Sequence, residues 1–175
     1  MIVFRNTDVD VPFFWEDARQ PPARWHGAGE GPAQYTASTP AAAWAEFLRH
    51  AGITDPDDLA GVARAMWAIE VPDDEPTGTP ILELRELTGG PRSHRACQAE
   101  ARRLRKAGAQ RLIALSAATR PDLGSGWRTD GGLRPGPDRE ETTIVLFRAR
   151  PDLVGWYAAR PGRPEPEVLD RTRRL

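Results

Sequence analysis

Ala33-Gln34-Tyr35-Thr36-Ala37-Ser38-Thr39-Pro40-Ala41-Ala42-Ala43-Trp44-Ala45-Glu46-Phe47-Leu48-Arg49-His50-Ala51-Gly52 reads first as a strand and then as a helix. Ala33 to Ala37 is short and centred on Tyr35, as a strand would be. Thr39-Pro40 then supplies a capping hydroxyl followed by a proline in the first helical turn. Trp44, Phe47, Leu48 and Ala51 recur at spacings of three and four, so one helix face is apolar. Gly52 suits the left-handed residue that stops such a helix. Upstream lies a loop rich in Pro and Gly, from Gln20 to Pro32, with Arg24-Trp25-His26 inside it.

The rest of the chain adds elements on both sides. Ile2 to Arg5 is a short apolar run and reads as a first strand. Asp55-Pro56-Asp57-Asp58 begins a short helical turn. Ala65, Trp67, Ile69 and Val71 alternate with their neighbours, so Ala63 to Val71 is strand-like. Pro80 to Leu84 is expected as a further strand. Ser93 to Ala107 is expected as a helix stopped by Gly108, with Arg102, Arg103, Arg105 and Lys106 in its last turns, where cations suit the helix dipole. Arg111 to Leu115 and Thr142 to Phe147 read as buried strands. Between them the long Gly/Pro-rich loop Thr119 to Glu140 is expected to be mobile and to flank a ligand cleft, with Trp127 as its anchor. The order strand, loop, strand, helix, strand, strand, helix, strand, strand fits a mixed α/β or α+β domain and lacks the alternation of a doubly wound sheet. Residues 1–157 form the expected domain. Ala158 to Leu175 is rich in Arg, Pro and Glu and is expected to be a mobile tail.

Composition excludes several classes. The chain has 175 residues and a net charge of −1. A chain of that length buries roughly 70% of its unfolded surface, enough for one core without staples. Its near-neutral charge provides no global field toward nucleic acid or an anionic membrane. No apolar run approaches the length of a membrane span, and the N-terminus lacks a signal-peptide shape, so a cytoplasmic location is expected. Cys97 is the single cysteine, read as structural. His26, His50 and His94 are too scattered for a zinc site, and no metal is expected. Gly124-Ser125-Gly126 has no lysine at P-loop spacing, and Ser116 is not in a G-x-S-x-G elbow.

One constellation remains. Arg24-Trp25-His26-Gly27, then Gln34-Tyr35-Thr36-Ala37-Ser38, then Ala42-Ala43-Trp44-Ala45-Glu46-Phe47-Leu48 and, far downstream, Leu115-Ser116-Ala117-Ala118 resemble the RES family. That family is named for an arginine, a glutamate and a serine. The intervals Arg24 to Tyr35 and Tyr35 to Glu46 are both 11 residues. The strand Thr143-Ile144-Val145-Leu146-Phe147 resembles the family's closing strand, so the likeness spans roughly residues 2 to 148. Three positions depart from the family pattern: His26 stands for asparagine, Leu115 for proline and Ala118 for arginine. The last leaves a phosphate contact without its residue, and Arg120 is a candidate to supply it.

The resemblance implies an α+β, ADP-ribosyltransferase-like split mixed β-sheet with flanking helices and NAD in the cleft between its halves. It implies an NAD phosphorylase or NAD glycohydrolase, with NAD as substrate rather than cofactor and inorganic phosphate or water as acceptor. For many members it also implies a toxin with a helical, Xre-type antitoxin. The residue types suit that chemistry. A carboxylate, Glu46, stabilises an oxocarbenium-like ribose. An arginine fork, Arg24, holds phosphate. Tyr35 and Trp25 offer ring faces to the dinucleotide, and Ser116 orients the glutamate or binds phosphate. Each residue also has a plainer reading. Glu46 would be a surface carboxylate facing Arg49 or His50, Arg24 one loop arginine among many, Tyr35 and Trp25 core, Ser116 a turn cap, His26 a loop histidine. Two other readings of the whole chain remain, a RES-fold binding module with little turnover and an ADP-ribosyltransferase acting on a macromolecule. A nucleic-acid-binding role for the tail is disfavoured by the charge balance.

Overall fold

The computed structural model describes residues 1–17, 19–121 and 124–174. Seven strands form one mixed sheet. In chain order they are β1 (Ile2–Thr7), β2 (Ala33–Ala37), β3 (Arg64–Glu70), β4 (Thr77–Gly78), β5 (Arg111–Leu115), β8 (Thr142–Phe147) and β9 (Gly155–Gly162). Their spatial order is β4-β5-β8-β2-β1-β3-β9. β4 and β5 run parallel and every other neighbouring pair is antiparallel. A separate hairpin joins β6 (Trp127–Thr129) to β7 (Leu133–Pro135). The helices are α1 (Pro40–Ala51), α2 (Leu84–Thr88), α3 (His94–Lys106) and α4 (Pro166–Asp170). None is long and apolar enough to cross a membrane.

The sheet is split where β1 meets β2. Those strands share a single registered pair, Phe4 with Ala37, whereas β1 and β3 are registered from Ile2–Glu70 to Thr7–Ala65 and β2 and β8 from Ala33–Phe147 to Ala37–Thr143. Helix α1 leaves β2 at this seam. Thr39, extended at φ −141°, caps it by accepting from Ala42 N at 3.1 Å, and Gly52 ends it at φ +66°. Asn6 of β1 donates its side-chain amide to Ala43 O of α1 at 2.6 Å, so the helix is tied to both halves.

Strand β8 is buried on both faces, and its period of two sorts the side chains. Val145 and Phe147 pack with Trp25, Cys97, Leu104 and Leu112 beneath α3. Ile144 and Leu146 face the other way, into a cluster with Val3, Ile69 and Val71. Thr143 therefore faces the helix side with Val145. A third cluster, Trp44, Leu48, Leu59, Met66, Ala118 and Val168, holds α1 down.

Three expectations need correction. Pro80 to Leu84 is not a strand. Thr77–Gly78 takes the sheet edge instead, and the Ile81 N–H donates to Glu100 Oε1 at 2.8 Å, a side chain replacing a ladder partner. The loop Thr119 to Glu140 is not featureless, since it carries the β6–β7 hairpin. Trp127, expected as its anchor, is 65% exposed there on β6, while Asp122 and Leu123 of that loop lie outside the described residues. The segment from Ala158 is not a loose tail. Much of it is β9, paired along β3 from Ile69–Gly155 to Arg64–Gly162, and α4, whose Val168 is buried against α1. Its Arg and Pro content suits an edge strand, which has solvent on one side and needs fewer ladder donors.

The Val168 contact supplies a test. Val168→Ser is expected to lower unfolding free energy by about 1–3 kcal/mol, the value of burying one such side chain, in urea denaturation. An unchanged midpoint would show that the C-terminal segment does not belong to the fold.

Candidate active site

The site is built where the helix side of the sheet meets α1. β5 ends at Leu115, and Ser116 follows it, 1% exposed. Ser116 Oγ donates to Glu46 Oε1 at 3.0 Å, and Thr143 Oγ1, from β8, donates to the same oxygen at 3.0 Å. Ser116 Oγ also accepts from Ala118 N at 3.2 Å, which fixes its rotamer. Glu46 Oε2 has no hydrogen-bond partner among the described residues. The carboxylate is thus held by one oxygen with the other available. Glu46 forms no ion pair with Arg49 or His50, contrary to its plain surface reading.

Arg49 lies one turn after Glu46, on the same side of α1. It is 7% exposed and donates through Nη2 to Thr88 O at 3.3 Å and Gly89 O at 3.2 Å. Burial pushes its pKa down, Glu46 opposes that shift, and Arg24 and Arg173 add to it. Arg24 approaches from the Gly/Pro-rich loop. Its Nη1 donates to Glu86 O at 3.1 Å and to Ser93 Oγ at 3.0 Å, and its Nη2 donates to Gly89 O. Arg24 and Arg49 therefore share a carbonyl. Among the described residues Arg24 makes no hydrogen bond to Glu46 or Ser116 and no ion pair, and its oxygen acceptors are neutral. His94, at the start of α3, is neutral-leaning: burial lowers its pKa most, then the charges of Arg24, His50 and Arg49.

Tyr35 is half-buried on β2, on the same face as Thr143. Its hydroxyl accepts from Trp25 N at 2.8 Å and lies 3.0 Å from His26 Nδ1. His26 is fully buried, with Nε2 2.9 Å from Pro21 O. A carbonyl only accepts, so Nε2 carries the proton and Nδ1 accepts from the tyrosine. This chain fixes the Arg24 loop over β2. Burial raises the Tyr35 pKa and keeps the phenol protonated. The hydroxyl of Tyr35 is thus committed to structure. Trp25, expected to line a cleft, is 1% exposed and belongs to the core under α3. Its Gly and Pro neighbours suggest an open loop, but the Tyr35 bond folds the loop inward.

Of the expected residues, the structure brings Glu46 and Ser116 into contact and places Arg24 beside them through Gly89 and Arg49. Thr143 and Arg49 were missed. Thr143 sits at the start of a buried strand where an aliphatic residue is expected. Arg49 faces inward at spacing three from Glu46, the one available signal. The Arg102, Arg103 and Arg105 cluster is a solvated face bonded to Glu30 and Glu100. The cavity of about 820 Å³ lined by Phe13, Phe14, Trp67 and Tyr157 is remote from these residues, so the site is identified by its chemistry rather than by its size.

The RES domain family model matches residues 4–168, and the chain belongs to that family. The structure is similar to that of the M. tuberculosis MbcT–MbcA toxin–antitoxin complex, with a TM-score of 0.61, 19% identity, and coverage of 97% of this chain and 86% of that one. No curated protein matches.

The buried His26 gives the site a pH signature. Burial holds its pKa below the ordinary 6.5. Its contribution to stability is complete above that value and is lost as pH falls toward the folded-state pKa, because the unfolded chain takes the proton first. Nitrogen-15 spectra of the imidazole are expected to show the Nε2–H tautomer and a midpoint below 6.5. A midpoint at or above 6.5 would contradict the burial of His26, and the Nδ1–H tautomer would contradict the Pro21–His26–Tyr35 chain.

Proposed function

We propose that this RES-domain protein binds NAD and cleaves the bond between nicotinamide and ribose. The observation that carries the reading is Glu46, oriented through one oxygen by Ser116 and Thr143 and set near Arg24 and Arg49, whose hydrogen-bond acceptors among the described residues are neutral. In the reaction the bond between ribose C1′ and the pyridinium nitrogen breaks. The electron pair goes to that nitrogen, so nicotinamide leaves neutral. The ribose acquires oxocarbenium character, which the Glu46 charge stabilises in a setting that needs no reorganisation. An oxygen of water, or an anionic oxygen of phosphate, then bonds to C1′, and the proton lost from the water or from the resulting phosphate ester passes to solvent. Arg24 and Arg49 suit the anionic parts of the reactants, as planar forks suit phosphate. Ser116 and Thr143 are positioning residues that aim the carboxylate.

The family membership and the likeness to a toxin–antitoxin complex support a second level of the proposal. This chain acts as a toxin, and a helical antitoxin restrains it by covering the cleft. Transfer of ADP-ribose to a macromolecule is the competing outcome. Labelled NAD incubated with cell lysate would reveal it as label fixed on protein or nucleic acid.

Purified protein is expected to release nicotinamide from NAD, and the comparison of reactions with and without phosphate identifies the acceptor. Glu46→Gln keeps size and hydrogen-bonding reach but removes the charge. Turnover is expected to fall about a thousand-fold, roughly 4 kcal/mol of transition-state stabilisation, with folding stability within about 1 kcal/mol of the parent. Full activity in a well-folded Glu46→Gln protein would sink the mechanism.

A further inference from the structure

Residues Arg171 to Arg173 of the C-terminal segment pass beside the turn that follows Ser116. Arg120 N donates to Arg171 O at 2.8 Å and Arg173 N to Ala118 O at 2.6 Å, flanking an antiparallel bridge between Thr119 and Thr172. Thr172 is 5% exposed and donates through Oγ1 to Val168 O at 2.7 Å, which ties this short strap to α4. The register delivers the half-buried Arg173 side chain next to the Ser116–Ala118 turn that holds Glu46. Arg173 Nε donates to Thr119 O at 2.5 Å. Its two terminal nitrogens have no hydrogen-bond partner among the described residues, and it has no carboxylate partner there.

Arg49 presents the complementary half. Its Nη1 is buried without a hydrogen-bond partner. Burial lowers the Arg49 pKa most, and the Arg173 charge adds a smaller push in the same direction. Two guanidiniums thus come together from distant parts of the chain, and both keep unused donors. Glu46, the carboxylate nearby, has one oxygen already taken by Ser116 and Thr143. Buried donors without acceptors and adjacent like charges are both unfavourable unless an anion completes them. The fork geometry of guanidinium suits a tetrahedral oxyanion with several acceptor oxygens.

We infer that Arg49 and Arg173 form an anion-binding corner of the Glu46 site that takes a phosphate oxyanion, so that the C-terminal strap is a working part of the site. The oxyanion is either the pyrophosphate of a dinucleotide or free phosphate. The assignment of that source rests on the NAD-cleaving reading of the site; the anion corner itself does not.

The test uses full-length protein and two probes in calorimetric titration, inorganic phosphate alone and NAD alone, the latter in the Glu46→Gln background so that no turnover intervenes. Arg173→Gln is expected to weaken binding of at least one probe tenfold or more while thermal unfolding stays near the parent's. Arg173→Lys is expected to recover part of the loss, which a purely structural role for the strap would not require. Loss confined to phosphate assigns the corner to the acceptor, and loss confined to NAD assigns it to the pyrophosphate. Arg49→Lys, which keeps the charge but not the fork, is expected to weaken the same probe. Folded Arg173→Gln protein that binds both probes within twofold of the parent would overturn the inference, as would a parent that binds neither. If phosphate binding depends on Arg173 but NAD is never cleaved, the anion corner stands and the NAD reading falls. If NAD is cleaved and Arg173→Gln changes neither probe, the reverse holds.

Discussion

Glu46 Oε1 accepts hydrogen bonds from the hydroxyls of Ser116, which follows β5, and Thr143, which lies in the neighbouring strand β8. The carboxylate therefore fixes helix α1 against the end of β5 and the start of β8. It does so at the side of the sheet's weakest seam, where β1 and β2 share one registered pair. Because α1 is also tied to β1 through Asn6, a shift of the helix would disturb both halves of the sheet and the orientation of the carboxylate together. Hydrogen bonds to a charged group contribute about 1.5–3 kcal/mol each, enough to select one rotamer. Packing of Trp44 and Leu48 supplies the bulk of the adhesion and leaves the polar contacts to set direction.

The second constraint is the loop carrying Arg24. A stretch of Pro, Gly and Arg has little apolar surface with which to hold itself. Here its order comes from a relay of backbone and side-chain bonds, Pro21 O to His26, His26 to Tyr35, Tyr35 to Trp25 N, together with the buried Trp25 ring. Arg24 then reaches carbonyls at Glu86 and Gly89, which brings the α2–α3 connection to the same place. Glycine at position 89 matters sterically. A Cβ there would lie 2.5 Å from Arg85 O, so the carbonyl that Arg24 and Arg49 share depends on the absence of a side chain.

Legibility in the sequence followed the range of the interaction. The β2–α1 unit and Gly52 were readable because capping, proline placement and helical spacing are local. β8 was readable because a run buried on both faces is continuously apolar. Glu46 and Ser116 were readable only as members of a pattern, since neither has a local signal that separates a site residue from a surface carboxylate or a turn cap. Trp25 was misplaced because its fate is decided by Tyr35, ten residues away. Pro80 to Leu84 was misread because Glu100 satisfies the Ile81 amide. β9 and α4 were hidden by composition: an edge strand with Trp156 52% and Tyr157 44% exposed does not alternate as a half-buried strand does. Thr143 and the strap at Arg173 depend on register between segments far apart in sequence, which spacing alone does not encode, and Arg49 left only its helical spacing from Glu46.

The charge balance of the site explains why its parts come from so many elements. A neutral-overall protein must gather cations locally if it is to hold a multiply charged anion, and burial works against each one: the Arg49 pKa is already pushed down by desolvation. Placing several guanidiniums on one helix would concentrate that cost in a single packed face. Here they are dispersed, with Arg24 on a loop, Arg49 on α1 and Arg173 on the C-terminal strap. Arg24 and Arg49 share the Gly89 carbonyl, and Arg173 rests on Thr119 O. Backbone carbonyls stabilise a guanidinium by hydrogen bonding without neutralising it, whereas an ion pair with a carboxylate would cancel the field that the proposed anion corner uses. The single carboxylate among them, Glu46, is satisfied mainly by hydroxyls, which likewise orient it without discharging it. Cation and anion are thus each oriented by neutral groups, and the proposed substrate, with developing positive charge at the ribose and fixed negative charge at its phosphates, is complementary to both.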